Sequence, residues 1–174
     1  MEISNAIKLI SHPGLGVNHA TQWADLGCGS GFFTHVLSSF LTTGSNIVAI
    51  DSNMAALKKV QVSGGVDLKT FSLDFVHDEW PFSKLDGIMM ANALHYVPDK
   101  DPFMQKLKAH LAPGGLLLIV EYDMNTPNTW VPYPITFQAL QTLCKKHAFG
   151  GIEKINQMPS AFGRAMMYAA LVRM

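Results

Sequence analysis

Residues 25–31 read Asp-Leu-Gly-Cys-Gly-Ser-Gly, and glycine at every second position constrains this chain more than any other feature. Ahead of the loop, Trp23, Ala24 and Leu26 read as the end of a buried strand. Behind it, Phe33, Val36, Leu37 and Phe40 recur at helical spacing. A strand, a glycine loop and a helix in that order make a nucleotide-type binding unit. Glycines turn at positive φ and, lacking Cβ atoms, let a ligand lie against the main chain. The helix that follows aims free N–H groups and the positive end of its dipole at the same spot. The ligand expected beside Gly27, Cys28, Gly29 and Gly31 is therefore anionic or strongly dipolar.

Spacing narrows the choice. A dinucleotide fingerprint that uses Gly27 and Gly29 needs its last glycine at position 32, where the chain has Phe32. Asp25, opening the loop, suits a ligand carrying positive charge; a pyrophosphate would gain nothing from it. The plain alternative is a glycine turn with no ligand, disfavoured because three glycines add to the entropy lost on folding without adding packing. The stretch closely resembles motif I of the class I S-adenosylmethionine-dependent methyltransferases. That resemblance implies S-adenosylmethionine as cofactor and places Asp25 beside it.

The 174 residues suffice for one domain, 1–174, with 1–19 as an N-terminal helix and the loop leading into the first strand, and 122–134 as a lid-like loop. Apolar residues at 48% against charged residues at 15% suit a sheet buried on both faces. Thirteen Lys plus Arg balance thirteen Asp plus Glu with no basic stripe, which disfavours a nucleic-acid partner. Cys28 and Cys144 lie far apart without metal-ligand spacing, so neither a disulfide framework nor a metal site is expected, and a reducing cytoplasm is. The N-terminus lacks a basic stretch followed by an apolar run, and residues 115–120 are too few to cross a bilayer, so no membrane association is expected.

Along the chain, Glu2 to Ile10 reads as an amphipathic helix that covers one edge of the fold or the mouth of the ligand site. Strands are expected at 21–26, 45–50, 67–73, 85–90 and 116–120. Helices are expected over 53–61, capped by Ser52, over 101–111 with Asp101 as cap, and over 136–147. After Gly150-Gly151, residues 152–158 and 165–172 read as two strands whose short join across 159–164 requires antiparallel pairing. The helix ahead of Leu-Ala-Pro-Gly-Gly (111–115) and the strand after it resemble the methyltransferases again, as does the terminal hairpin. The resemblance implies an α/β, doubly wound seven-stranded sheet of order 3-2-1-4-5-7-6, strand 7 antiparallel, with helices on both faces.

Asp51 closes the second strand 24 positions after Gly27, near the spacing at which a carboxylate meets ribose hydroxyls. It matches the acidic residue of motif II, with Ser52 beside it; a simple turn aspartate is the alternative. By the same resemblance Met54 stands where an apolar residue meets adenine. Asp74 would accept from the adenine amino group, with Asp78 or Glu79 as substitutes, and the backbone N–H of Phe75 would meet the ring. Asn92 to Tyr96 resembles motif IV of the small-molecule branch, with Asn92 on cofactor or substrate. His95 follows the fourth strand, where ligands of open sheets converge, and its ordinary pKa suits a general base; Glu121 and Asp123, at the tip of strand five, rank after it. His12 and His19 could reach the cofactor's methionine end, while His77-Asp78-Glu79 reads as solvated loop. The whole reads as a methyltransferase for a small-molecule acceptor. Against it stand a cofactor-binding protein without catalysis and, further off, a nucleotide-dependent oxidoreductase. The short acceptor region would need Trp130, Tyr133 and the N-terminal helix, or a second subunit in a homodimer, to close it.

Overall fold

The computed structural model describes residues 1–160 and 165–174, and these form one seven-stranded sheet. Its strands are β1 (Gln22–Leu26), β2 (Asn46–Asp51), β3 (Asp67–Ser72), β4 (Leu85–Ala91), β5 (Leu111–Tyr122), β6 (Gly151–Pro159) and β7 (Met166–Arg173). Their spatial order is β3-β2-β1-β4-β5-β7-β6. Pairing is parallel from β3 across to β5, whereas β7 runs antiparallel to both β5 and β6. Order and direction are those expected from the sequence; of the join between the last two strands, residues 161–164 lie outside the described residues.

Helices α1 (Ile3–Ile10), α2 (Phe32–Ser38), α3 (Met54–Leu57), α4 (Lys100–His110) and α5 (Phe137–Lys146) lie over the two faces. The side-chain period of two sorts each strand between them. Trp23, Leu118 and Val120 face α1 and α2, joining Leu9, Ile10, Val36 and Leu37. Ala24, Leu26, Leu117 and Ile119 face α4 and α5, joining Phe103, Leu107 and Leu140. Both faces being buried, the central strands read as unbroken apolar runs. Gly87 is needed where the Trp23 ring crosses β4, because a Cβ there would stand 2.4 Å from that ring.

Three details differ from expectation, and of the two places expected for the N-terminal helix the structure shows one. α3 spans Met54–Leu57 only, and its cap is Asn53, whose side chain accepts from Ala55 and Ala56 N–H; Ser52 is not the cap. The helix cannot run on, because Val60 folds back against Gly31. α4 is capped by Asp99, and the Asp101 carboxylate instead meets Lys146 and His147 of α5, each at 2.7 Å. β5 begins at Leu111, which pairs with Leu85 ahead of a register shift, so the Pro-Gly-Gly stretch is a bulge within the strand. α1 packs on β6, β7 and α2 and so covers the sheet edge, not the mouth of the site described next.

Candidate functional site

The loop after β1 is tied to its neighbour. Gly27 N–H and Cys28 N–H both donate to Ile50 O, at 2.8 and 2.9 Å, and Gly29 N–H donates to Asp51 Oδ2 at 2.8 Å. Asp51 Oδ1 accepts from Asn53 N–H at 2.8 Å, so one carboxylate joins the glycine loop to the start of α3. Gly31, at φ 85°, caps α2 with Val60 so close that a Cβ would lie 2.7 Å from its Cγ1. Gly29, at φ 55°, has nothing within 4 Å of a built Cβ, so its missing side chain leaves open space rather than room for a neighbour.

Asp25 lies under this loop, 1% exposed, with Oδ2 accepting from Thr34 Oγ1 at 2.5 Å and Oδ1 buried with no partner among the described residues. Burial pushes its carboxyl up to about 7, an effect that Thr34 opposes and nearby Asp51 reinforces. A cation near the loop would restore the ionised form. Burial, with Asp25 and Asp51 behind it, also raises the Cys28 thiol well above its usual range, so Cys28 is no nucleophile here.

A cavity of about 440 Å³ opens at the carboxyl ends of the parallel strands, with Gly27, Asp51, Ser52, Asp74, Phe75 and Asn92 in its wall. Asp74 does double duty in a turn: Oδ1 accepts from Val76 N–H and Oδ2 meets His77 Nδ1, both at 2.8 Å, which holds its carboxyl below the usual range. Lys106 of α4 clamps that turn, its ammonium reaching Phe75 O and Val76 O at 3.2 Å and Asp78 O at 2.7 Å. Met54, 61% exposed, does not line the cavity. Neither do His12, which accepts from Gly14 N–H and faces Glu153, and His19, which stands at the amino ends of the strands beside Asp86.

Next to it lies a second cavity of about 680 Å³, and Asn92 and Tyr96 line both. Asn92 sits at φ 53° at the end of β4, a left-handed turn that asparagine tolerates, with its Oδ1 buried and unpaired among the described residues. The larger cavity is walled by Tyr96, Tyr122 and Trp130, with Met124 and Val131 between them. His95 lines it from below, 2% exposed, its Nδ1 at 2.8 Å from Glu121 Oε2 and its N–H on Oε1 at 3.0 Å. Tyr122 N–H adds a bond to Oε2 at 3.2 Å. Two backbone N–H groups donate to the fully buried Glu121, and against a carboxylate the matching tautomer of His95 has its proton on Nδ1 and its lone pair on Nε2.

Sequence reasoning left Tyr96, Tyr122 and Asn128 without a role and ranked Glu121 as a base rather than as the partner of His95. The signal was present: Ala91 pairs with Val120, so the residues just past the ends of β4 and β5 must meet. Trp130 reaches the larger cavity, whereas Tyr133 does not line it and its carbonyl accepts from Lys100 Nζ at 2.9 Å. Asp123 is structural, accepting from Phe137 N–H at 3.0 Å and facing Lys154.

Sheet order, the single antiparallel strand and a glycine loop at the carboxyl ends together define the methyltransferase-type Rossmann-like fold. A methyltransferase domain family matches residues 24–117, and the chain belongs to it. Among curated relatives, trans-aconitate 2-methyltransferase of Variovorax paradoxus is 33% identical over 101 residues, covering 58% of this chain and 38% of that one. The 1,6-didemethyltoxoflavin-N1-methyltransferase of Burkholderia thailandensis, solved with S-adenosylhomocysteine, superposes with a TM-score of 0.71 at 17% identity over 98% of this chain and 77% of that one. An S-adenosylmethionine-dependent methyltransferase from Mesorhizobium loti gives 0.68 at 16% identity, covering 94% of each. The chain spans about two fifths of the length of the curated relatives it matches. No helix among the described residues is long and apolar enough to cross a membrane.

Proposed function

We propose that the chain binds S-adenosylmethionine in the smaller cavity and transfers its methyl group to a small molecule in the larger one. The observation that carries this reading is the junction of the two cavities at Asn92 and Tyr96, with a histidine base in the acceptor side. The residues present fit the cofactor. Asp51 would take the ribose hydroxyls, Asp74 and the Phe75 N–H the adenine, and Asn92 the sugar or the methionine part. The open side of Gly29 and the carboxyl of Asp25 suit the methionine end and its positive charges. Ser52 completes the wall beside Asp51.

S-adenosylmethionine supplies a methyl group already activated by its sulfonium, so the protein has to place a nucleophile and receive its proton. His95 Nε2 receives that proton, and Glu121 stabilises the imidazolium that results. The acceptors named for relatives, trans-aconitate and 1,6-didemethyltoxoflavin, support a small molecule as substrate. The free cysteines Cys28 and Cys144 suit a reducing cytoplasm.

The test is calorimetric titration with S-adenosylmethionine and S-adenosylhomocysteine, followed by an acceptor screen with wild type and Glu121→Gln. Micromolar binding, and turnover that the variant lowers by roughly 10²- to 10⁴-fold, are expected. No heat with either ligand would overturn the cofactor assignment. Binding without turnover on any acceptor would leave a cofactor-binding protein in its place.

A further inference from the structure

Beside the base and its buried carboxylate the larger cavity has a feature that methyl transfer does not by itself require: a wall of aromatic rings. Tyr96, 50% exposed, has its ring centroid 4.4 Å from that of His95, and Tyr122 lies at 6.2 Å. Trp130, which lines the same cavity, is 79% exposed, although Asn128 fixes its backbone by accepting from Trp130 N–H and Val131 N–H at 2.8 and 2.9 Å. A large indole at the cavity with most of its surface in solvent is stabilised when a flat apolar ligand covers it.

The charged and titratable groups around His95 fix what else the ligand must offer. Glu121 on β5 carries a buried negative charge directly behind the ring. Lys100 on α4 has its ammonium turned to Val97 O and Tyr133 O, both at 2.9 Å. The Tyr122 hydroxyl is held protonated by burial. His95 with Glu121 is thus a proton acceptor backed by a negative charge. Such a pair repels a carboxylate anion, which needs no base, and favours a neutral ligand that arrives with its proton.

We propose that the larger cavity takes a phenol, its ring among Tyr96, Tyr122 and Trp130 and its hydroxyl on His95 Nε2, and that the phenol is held there as phenolate. In that step the O–H bond breaks, its electron pair stays on oxygen, and the proton forms the Nε2–H bond of an imidazolium whose Nδ1–H faces Glu121. The acceptor of the methyl group is then an aryl oxygen. This rests on the methyl-transfer reading for its purpose but not for its measurement.

The experiment is titration of the protein with 4-nitrophenol, whose ionised form absorbs in the visible, about one unit below the probe's own pKa, with and without S-adenosylhomocysteine. Trp130 fluorescence reports binding, since Trp23 and Trp80 are buried. Bound probe is expected to be several-fold more ionised than free probe. His95→Gln should keep the fluorescence response and lose the extra ionisation, and Trp130→Ala, at an exposed position, should weaken binding roughly fivefold. Absence of binding in both conditions, a bound probe that is no more ionised than the free one, or equal ionisation in His95→Gln would overturn the proposal. S-adenosylhomocysteine binding measured on the same preparation separates the two readings. If it persists while the probe fails, the phenol proposal alone falls; if it is absent, the methyl-transfer reading falls.

Discussion

The amide of Gly29 and the carboxylate of Asp51 are joined at 2.8 Å, so the glycine loop and the tip of β2 form one hydrogen-bonded unit. Each Asp51 oxygen already accepts one backbone N–H and keeps a second lone pair for a ligand. Asp51→Ala is expected to weaken S-adenosylhomocysteine binding by about tenfold or more while lowering stability by only about 1 kcal/mol, because the bonds are partly exposed. Calorimetry and urea unfolding on the same variant separate the two effects. An unchanged Kd would remove Asp51 from the site.

Gly29 and Gly31 should respond differently to the same substitution, one chiefly in cofactor affinity and the other in stability. Gly31→Ala forces a Cβ to 2.9 Å from the Val60 Cα, backbone that cannot yield cheaply, and should destabilise the fold by about 2 to 4 kcal/mol. Gly29→Ala meets no neighbour and should cost about 1 kcal/mol for its positive φ, yet reduce cofactor affinity more than any stability loss explains. Thermal unfolding with and without S-adenosylhomocysteine distinguishes them.

Asp25 ties pH to both stability and binding. Its folded pKa is raised from 3.8 to about 7, so its contribution to stability is full below the lower value and is lost as pH rises through the upper one. Asp25→Asn keeps the shape and removes the titration. Relative to wild type it should gain stability progressively between about pH 4 and about pH 7, by at most about 4 kcal/mol. The same variant should bind the cationic cofactor less well than its uncharged analogues. Parallel stability curves for the two proteins across that pH range would contradict the assignment.

Lys106 fastens the turn that carries Asp74 and Phe75, and its ammonium also lies 4.7 Å from the Trp80 ring. Burial lowers its pKa, an effect that the nearby Glu79, Asp74 and Asp78 oppose. Lys106→Met should preserve the aliphatic packing, free three carbonyls, and speed amide hydrogen exchange across 74–79. Affinity for the adenosine part should fall a few-fold, by about 1 kcal/mol. Exchange rates in that turn equal to wild type would show that the clamp is not what orders it.

The strands, the glycine loop and the antiparallel last pair were legible because each leaves a local mark: apolar runs of strand length, glycine at alternate positions, and a join too short for a crossover; the order of the strands came from the resemblance to the methyltransferases. What was not legible depends on contacts distant in sequence. The cap moved from Ser52 to Asn53, whose side chain accepts from Ala55 and Ala56 N–H, and from Asp101 to Asp99, the Asp101 carboxylate being taken by Lys146 and His147. Glu121 looked like one acid among several until the β4–β5 register set it against His95. Met54 was placed by analogy of position, and its exposure shows that a four-residue α3 turns that side chain outward.

The place of β7 in the sheet has a consequence for the order of assembly. Met166–Arg173 is the last strand of this sheet to leave the ribosome, yet it is inserted between β5 and β6, with Tyr168 paired to Glu121 and Met167 to Tyr122. While synthesis is still upstream of it, β5 has an open edge at the residue that orients His95, and β6 has no partner. The glycine loop, by contrast, lies among β1, β2 and β4, all complete by residue 91. The nascent chain can therefore form its glycine loop long before His95 is aligned on Glu121, and the larger cavity waits on contacts of high sequence separation.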